Sequence, residues 1–526
     1  MKKMMVVCAL AVVGFVLFTL AAPRRAFGTT RYIAQTAGTF SGGTACNGQT
    51  AMTPATLNTI TNSAGDLDYI CGTLTFSASS SNAAIIINGS GTSGNPITIK
   101  FDSGASLKAP YFPPAGTSAA ISINGSYVTI NGNGGAGGWT QGIIESTLNG
   151  DPGATCPGGA CAYQVNSNAI QFSGTNITVT GLTIEDMYVT TGNPNSNGAG
   201  ECLYANATIT NLTVTNNLMH DMSWCLDLQY GSGSSGITIS GNQIYNIDHG
   251  IALGGPASNS SLSNVSIFNN NIHDYSNWDT TSDSWHHDGI HVWGYNDNGS
   301  DTISGVSIYN NTFGGCIGQN VTAHIFMETN NGGTKATSIY NNVLIDTCSG
   351  NDANGLITLG TNDGPYTIYN NTAMGASGDF CYNLGTTVTP TFINNVASGC
   401  GTLIEYAGTF ASGGLNNNIY ANSGSNAFVF DNNYYTTGQF STWKSVTGQD
   451  GNSSYVSSAL LNASGVPQSG SPTIRAGADL SSLGITHLDS DIAGNPRPST
   501  GPWTIGAYAT TGPLPPTSLT GTVQTQ

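Results

Sequence analysis

The sequence predicts an all-β fold, a parallel β-helix, and three observations carry that prediction. The first is a repeat. Eight times between Val214 and Asn418 an apolar, usually β-branched, residue is followed after one spacer by Asn-Asn or Gly-Asn. The copies are Val214/Asn216-Asn217, Ile239/Gly241-Asn242, Ile267/Asn269-Asn270, Ile308/Asn310-Asn311, Ile339/Asn341-Asn342, Ile368/Asn370-Asn371, Phe392/Asn394-Asn395 and Leu415/Asn417-Asn418. By subtraction they lie 25, 28, 41, 31, 29, 24 and 23 residues apart. A period of that size with strand-like content means a coil that returns to the same side once per repeat and buries its apolar face only by stacking on its neighbours. The second observation is short Thr/Ile/Val-rich strand signals: Ile97-Thr98-Ile99, Val128-Thr129-Ile130, Ile177-Thr178-Val179 and Ile237-Thr238-Ile239. The third is composition: 7% charged residues and 70 Gly, with no sustained 3.6-residue apolar period after residue 30.

The elements follow in chain order. Residues 1–28 read as a secretory signal: Lys2 and Lys3 precede an apolar run from Val6 to Ala22, and a small-residue site follows at Ala26-Phe27-Gly28. Residues 29–96 form an N-terminal cap, 97–440 the coiled body, and 441–509 a capping segment in which Asp491–Tyr508 closes the C-terminal end. A solenoid needs such caps over its terminal strand edges. The Pro/Thr-rich stretch 510–526 reads as a disordered tail. Within each repeat the second Asn is expected at the corner, in the left-handed backbone region that Asn tolerates, and the stacked copies are expected to form an Asn ladder.

Apart from Cys8, ten cysteines remain, an even number that suits an oxidising, extracellular or periplasmic setting. Cys202 precedes Leu203 as Cys225 precedes Leu226, and Cys316 and Cys348 each follow an Asn-Asn pair by five or six residues. Stacked strands lie about 4.8 Å apart, within disulfide reach. The expected bridges are Cys202–Cys225, Cys316–Cys348, Cys156–Cys161, Cys46–Cys71 and Cys381–Cys400. No Cys/His zinc spacing is present.

The net charge of −17 with 11 Lys and Arg excludes a basic stripe of the kind nucleic acid requires, and equally disfavours an anionic membrane surface. No second apolar run of spanning length follows the signal. The mature chain is expected to be a monomer with no membrane association.

The strands that begin each coil carry the chemistry. They read Cys225-Leu-Asp-Leu-Gln-Tyr230, Gly250-Ile-Ala-Leu-Gly254, Gly289-Ile-His-Val-Trp293 and His324-Ile-Phe-Met-Glu328. If Leu226/Leu228, Ile251/Leu253, Ile290/Val292 and Ile325/Met327 point inward, alternation sends Asp227, His291, Trp293, His324 and Glu328 outward. Asp248-His249 and Trp285-His286-His287-Asp288 lie just before these strands. One outer face would then gather Asp288, Asp227, Asp248, His249, His287 and His291 as catalytic candidates. Glu328, His324, Trp285, Trp293, Tyr230 and Tyr295 would be substrate contacts. Carboxylates a few coils apart match the spans of glycoside hydrolysis, ~5–5.5 Å for retention or ~6.5–9.5 Å for inversion. The imidazoles can tune them or move protons, and the aromatic rings offer sugars flat apolar surfaces. Glu185, Asp186 and Glu201, one or two coils earlier, read as solvated loop acids.

Several phrases carry a resemblance. Ser90-Gly-Thr-Ser-Gly-Asn-Pro-Ile-Thr-Ile-Lys100, the Asn-Asn coils and the Asp491–Tyr508 segment resemble secreted bacterial right-handed parallel β-helix repeat proteins of the pectin lyase-like and polygalacturonase-like superfamily. The resemblance covers nearly the whole mature chain and implies a right-handed solenoid. It is weak for activity, since that group holds lyases, hydrolases, epimerases and non-catalytic surface proteins. Asp248-His249-Gly250-Ile251 resembles the His-Gly turn of polygalacturonase-type glycosidases. His287-Asp288-Gly289-Ile290-His291-Val292 resembles their Asn-Thr-Asp-Gly phrase, with Asp288 at the acid position. Their order is reversed here and the later Arg/Lys substrate clamp is missing.

The functional expectation is a polysaccharide-cleaving glycoside hydrolase. The alternatives are a lyase or uronate C5-epimerase working through His249, His287, His291 and Tyr295, or a non-catalytic adhesive β-helix. No cofactor is required. A divalent cation on His287, Asp288 and His291 with Asp248 or Glu328 is a second use of the same groups, and the resemblance implies calcium as the ion such scaffolds hold.

Overall fold

The computed structural model describes residues 28–134, 142–149, 165–187, 200–275, 286–295, 301–317, 321–328, 334–348, 353–360, 363–386, 390–424 and 426–510. Each Thr/Ile/Val segment becomes a short strand that pairs parallel with the equivalent segment of the next coil. Ile97–Phe101 pairs with Val128–Asn131, that with Ile177–Thr180, and so onward in register. One face is a 13-stranded sheet from Thr30–Ile33 to Leu415–Asn416, and a 24-strand set makes up the others. Two long strands, Leu218–Tyr230 and Gln243–Gly254, turn from one of these faces to the next. The first residues of Gln243–Gly254 pair with Asn271–His273 and its last with His287–Trp293. The crossovers are right-handed. Parallel pairing reaches beyond 97–440 at both ends, back to Thr30–Ile33 and on to Ser454–Val456.

The core is a column of apolar side chains along the axis. Leu212, Ile237, Val265 and Val306 stack in one row and Val214, Ile239, Ile267 and Ile308 in another, all buried. Each such side chain stabilises by about 1.5–3 kcal/mol relative to exposure.

The Asn pairs divide their roles in the order opposite to expectation. The first member takes the left-handed backbone: Asn216, Asn269, Asn310, Asn341, Asn370, Asn394 and Asn417 have φ between 53° and 62°, and Gly241 has 65°. The second member is buried and forms the ladder. Nδ2 donates to the next Oδ1 at 3.0 Å from Asn217 to Asn242, 2.9 Å to Asn270, 3.0 Å to Asn311, 3.1 Å to Asn342 and 3.0 Å to Asn371 and again to Asn395. Each Oδ1 also accepts the backbone N–H of the preceding ladder Asn, as Asn342 does from Asn311 at 3.0 Å. The turn needs the αL residue first, so that the following side chain points into the coil.

Thr53 caps the short helix Pro54–Leu57 near the N-terminal end, where Cys46 is bonded to Cys71. At the other end the helix Phe440–Thr447 buries Trp443 against Phe428, and Trp443 Nε1 donates to Asp450 Oδ2 at 2.8 Å. The Asp491–Tyr508 segment does not close that end as expected. It runs back along the coils, with Leu488 and Trp503 packed on the Tyr309, Tyr340 and Tyr369 ladder. Arg497 donates to Asn341 Oδ1 at 2.8 Å, and Asn370 Nδ2 donates to Thr504 O at 3.0 Å. The αL residues turn their own side chains outward, and these polar groups hold the returning chain.

Cys316–Cys348 and Cys381–Cys400 are bonded as expected. Cys202 and Cys225 face each other across adjacent coils as expected, their Sγ atoms 2.7 Å apart in the core, closer than unbonded sulfurs pack and longer than the about 2.05 Å of a formed bond. Cys156–Cys161, the signal, Trp285 and the tail after Thr510 lie outside the described residues. No helix among the described residues is long and apolar enough to cross a membrane.

Candidate functional site

The coil-starting strands stack in the register that the apolar pairs imply. Leu226 lies on Ile251, Ile290 and Ile325, and Leu228 on Leu253, Val292 and Met327. Three columns follow from it. One runs Glu201–Trp224–His249–Asp288–Ala323. A second runs Tyr204–Asp227–Ala252–His291–Phe326. Between them, Cys202, Cys225, Gly250, Gly289 and His324 face the interior. Two successive residues per coil turn inward here, because the strand bends between faces.

That bend overturns one expectation. His324 is buried, not outward; its Nδ1 lies 3.1 Å from Tyr275 Oη and its Nε2 3.3 Å from Ile345 O. Burial pushes its pKa down to about 3 despite the Ile345 carbonyl. Gly289 is required beside it, since a Cβ there would lie 2.5 Å from Tyr275 Oη and 2.6 Å from the His324 carbonyl. Tyr230 is likewise a core residue, fully buried, with its hydroxyl donating to Trp293 O at 2.7 Å. Neither is placed to meet a substrate. Tyr295 is half-buried in the turn after His287–Trp293, its N–H donating to Asp301 Oδ2 at 2.5 Å.

The other candidates converge. His249 Nδ1 lies 2.9 Å from Asp248 Oδ1, and its Nε2 lies 3.4 Å from Asp288 Oδ2. The same carboxylate oxygen is 3.3 Å from His286 Nε2 and 3.6 Å from His291 Nδ1. Asp288 Oδ1 accepts the Ala323 N–H at 3.0 Å, and His291 Nε2 lies 3.0 Å from Glu328 Oε2. His287 is buried behind this group, its Nε2 3.9 Å from Asp248 Oδ1. Burial opposes a charge on His249, but Asp248 and Asp288 outweigh it and hold its pKa up at about 10. Burial also works against ionisation of Asp248, and the surrounding imidazoles, His249 first, keep its pKa below the usual range.

Aromatic walls enclose the cluster. Trp224 stacks on His249 with centroids 4.2 Å apart, Trp293 lies against His291 at 4.4 Å, and Phe326 stacks on His291 at 4.8 Å. Trp224 and Trp293 meet edge to face at 6.0 Å and 86°. Gly254 makes room for Trp293: a Cβ there would sit 2.1 Å from its ring.

Two titratable residues were missed in the sequence. Glu201, read as a solvated loop acid, is 2% exposed at the head of the first column. The Cys202-Leu203/Cys225-Leu226 alignment already held the signal, because one step back it sets Glu201 beside Trp224. Burial and the neighbouring Asp227 charge push the Glu201 pKa well up. Burial pushes Asp227 up to about 6, with Gln229 and His249 opposing. Neither Glu201 Oε2 nor Asp227 Oδ1 has a hydrogen-bond partner, although both are buried. His286 is the second miss. It sits just ahead of the strand, where alternation gives no direction.

No protein-family model matches the chain, and no curated protein does. Among solved structures it is similar to the pectate lyase Pel9A, at 13% identity over 91% of this chain and 97% of that one, TM-score 0.37. It is similar to the GH136 lacto-N-biosidase from Eubacterium ramulus, at 11% identity over 81% and 67%, TM-score 0.43. It is also similar to a mutant of the periplasmic alginate epimerase AlgG, at 12% identity over 70% and 73%, TM-score 0.32. At such identities the likeness concerns the fold alone, the parallel β-helix that the chain's own strand pairing defines.

Proposed function

We propose that the protein is a secreted glycoside hydrolase acting on a polysaccharide, with Glu201 and Asp227 as its acid–base pair. One observation carries the reading: two buried carboxyl groups in adjacent coils, Glu201 under the influence of the Asp227 charge, each keep an oxygen without a hydrogen-bond partner. A buried polar atom left without a hydrogen-bond partner in a native fold needs an explanation, and a catalytic role is one. Two carboxyl groups whose surroundings hold their pKa values apart divide into an acid and a base. Here burial and the Asp227 charge hold the Glu201 pKa well above the ordinary value, which suits the acid, and Asp227, raised to about 6, takes the base role. Tyr204, Trp224 and Gln229, all half-buried, border the pair and suit a sugar ring, which is apolar on its faces and polar at its rim. The net charge of −17 favours a neutral glycan over a polyanionic one. In this reading Asp288 is not the acid, because three imidazoles already surround it.

The test is a product screen of the purified mature protein on neutral and acidic polysaccharides. New reducing ends without an unsaturated sugar support a hydrolase. Ultraviolet-absorbing unsaturated ends on uronates identify a lyase and overturn it. No turnover of any glycan in a broad panel favours an adhesive role.

A further inference from the structure

We infer that His249 Nε2, His286 Nε2, Asp288 Oδ2 and His291 Nδ1 bind one divalent transition-metal ion of the zinc class. These four atoms lie within 4.8 Å of one another. A tetrahedral ion with ligand bonds of about 2.0–2.2 Å separates its ligand atoms by about 3.3–3.6 Å. The three distances from Asp288 Oδ2 to the imidazole nitrogens are 3.3, 3.4 and 3.6 Å. Three buried atoms of the set, Asp288 Oδ2, His249 Nε2 and His286 Nε2, carry no hydrogen bond.

The surroundings are built for coordination. A ligating imidazole commonly gives its other nitrogen to a carboxylate, which fixes the ring and raises its basicity. His249 does so with Asp248 at 2.9 Å and His291 with Glu328 at 3.0 Å. The other oxygen of Asp288 is held by the Ala323 N–H. Backbone register sets three of the ligands, since His249 and Asp288 are partners in adjacent strands and His291 follows three residues on. The fourth, His286, is 42% exposed and closes the site from outside.

Three imidazoles and one carboxylate oxygen suit zinc, copper, nickel or iron, whereas calcium takes six to eight oxygens. The calcium expectation drawn from resemblance therefore gives way at this position. With four protein ligands the ion is coordinatively closed in the manner of a structural zinc. It would lock the two strands and the residue that precedes the second into one unit under Trp224 and Trp293. This inference does not depend on the glycosidase reading.

The experiment uses the full mature chain without a histidine tag, stripped with chelator and re-equilibrated with Zn²⁺, Co²⁺ or Ca²⁺. Metal content and thermal unfolding are measured with no glycan present. The expected result is about one zinc per chain, a raised unfolding temperature with Zn²⁺ but not Ca²⁺, and the visible bands of four-coordinate cobalt. His286→Ala, an exposed position that leaves the core intact, and Glu328→Gln should each weaken zinc binding, the latter by about 10–100-fold. His273→Ala, away from the cluster, should leave zinc uptake unchanged. A folded wild-type chain that takes up neither zinc nor cobalt overturns the inference. So does preferential calcium binding, or zinc binding that survives His286→Ala and His291→Ala unchanged.

Discussion

Replacing Asn311 by Ala should cost about 4 kcal/mol of stability, and the figure follows from its contacts. Asn311 Nδ2 donates to Ile267 O at 2.9 Å and to Asn342 Oδ1 at 3.1 Å. Its Oδ1 accepts from the backbone N–H and from Nδ2 of Asn270, both at 3.0 Å. All four bonds are buried, and each contributes about 1 kcal/mol net, more when the abandoned partner finds no water. Alanine removes all four and strands the Asn270 N–H and one of its Nδ2 hydrogens, while Asn342 Oδ1 keeps the Asn311 backbone N–H. Asn310, one residue earlier, acts through its backbone instead, since its φ of 55° is what the turn needs. Glycine serves there in the copy at Gly241, so Asn310→Gly should shift stability by less than about 1 kcal/mol. Urea unfolding followed by far-ultraviolet circular dichroism, with hydrogen exchange of the flanking strands, measures both. Asn311→Ala within about 1 kcal/mol of wild type, or Asn310→Gly as damaging as Asn311→Ala, would refute the division of roles within the pair.

Three further outcomes are expected. Gly254→Ala puts a methyl where Trp293 lies, so the ring must move and the edge-to-face contact with Trp224 is lost. Such pairs contribute about 0.5–1.5 kcal/mol, which should appear as altered tryptophan fluorescence and a rise of up to about tenfold in KM with little change in kcat. Asp227→Asn should stabilise the fold relative to wild type as pH rises. The Asp227 pKa is raised from 3.8 to about 6, so the wild-type contribution is complete below about 4 and is lost as pH climbs through 6. The stability difference should widen in favour of the variant between about pH 4 and 7, by a few kcal/mol at most, and a flat difference in thermal scans would count against a buried carboxylate. Removing the Cys316–Cys348 bridge, which spans 32 positions, with paired serines should lower stability by about 2–4 kcal/mol, read by the same scans.

The winding was legible because alternation of apolar residues is a direct consequence of burying one face of a strand, and Ile251, Ile290 and Ile325 stack as that rule requires. The rule fails where a strand bends. At Gly289 and His324 two consecutive residues face inward, and no single-strand period encodes that. The roles within each Asn pair were inverted for a related reason. Both residues tolerate the left-handed region, and only the coil geometry decides which side chain enters the core. Glu201 was hidden by its neighbours in sequence, a Gly-rich and Asn-rich stretch that reads as loop, although its alignment with Trp224 was available. Legible from the start was the concentration of His and Asp around residues 248–291. Its geometry was not, because three imidazoles converging on one carboxylate oxygen come from two coils and a residue outside the strand pattern.

The central claim is that Glu201 and Asp227 cleave a glycosidic bond, and isosteric replacement of each tests it most directly. General acid–base catalysis contributes about 10²–10⁴-fold. On the glycan found in the product screen, Glu201→Gln and Asp227→Asn should each lower kcat at least ~100-fold, with circular dichroism unchanged and zinc content as in wild type. Turnover within a few-fold of wild type in either folded variant would contradict the assignment.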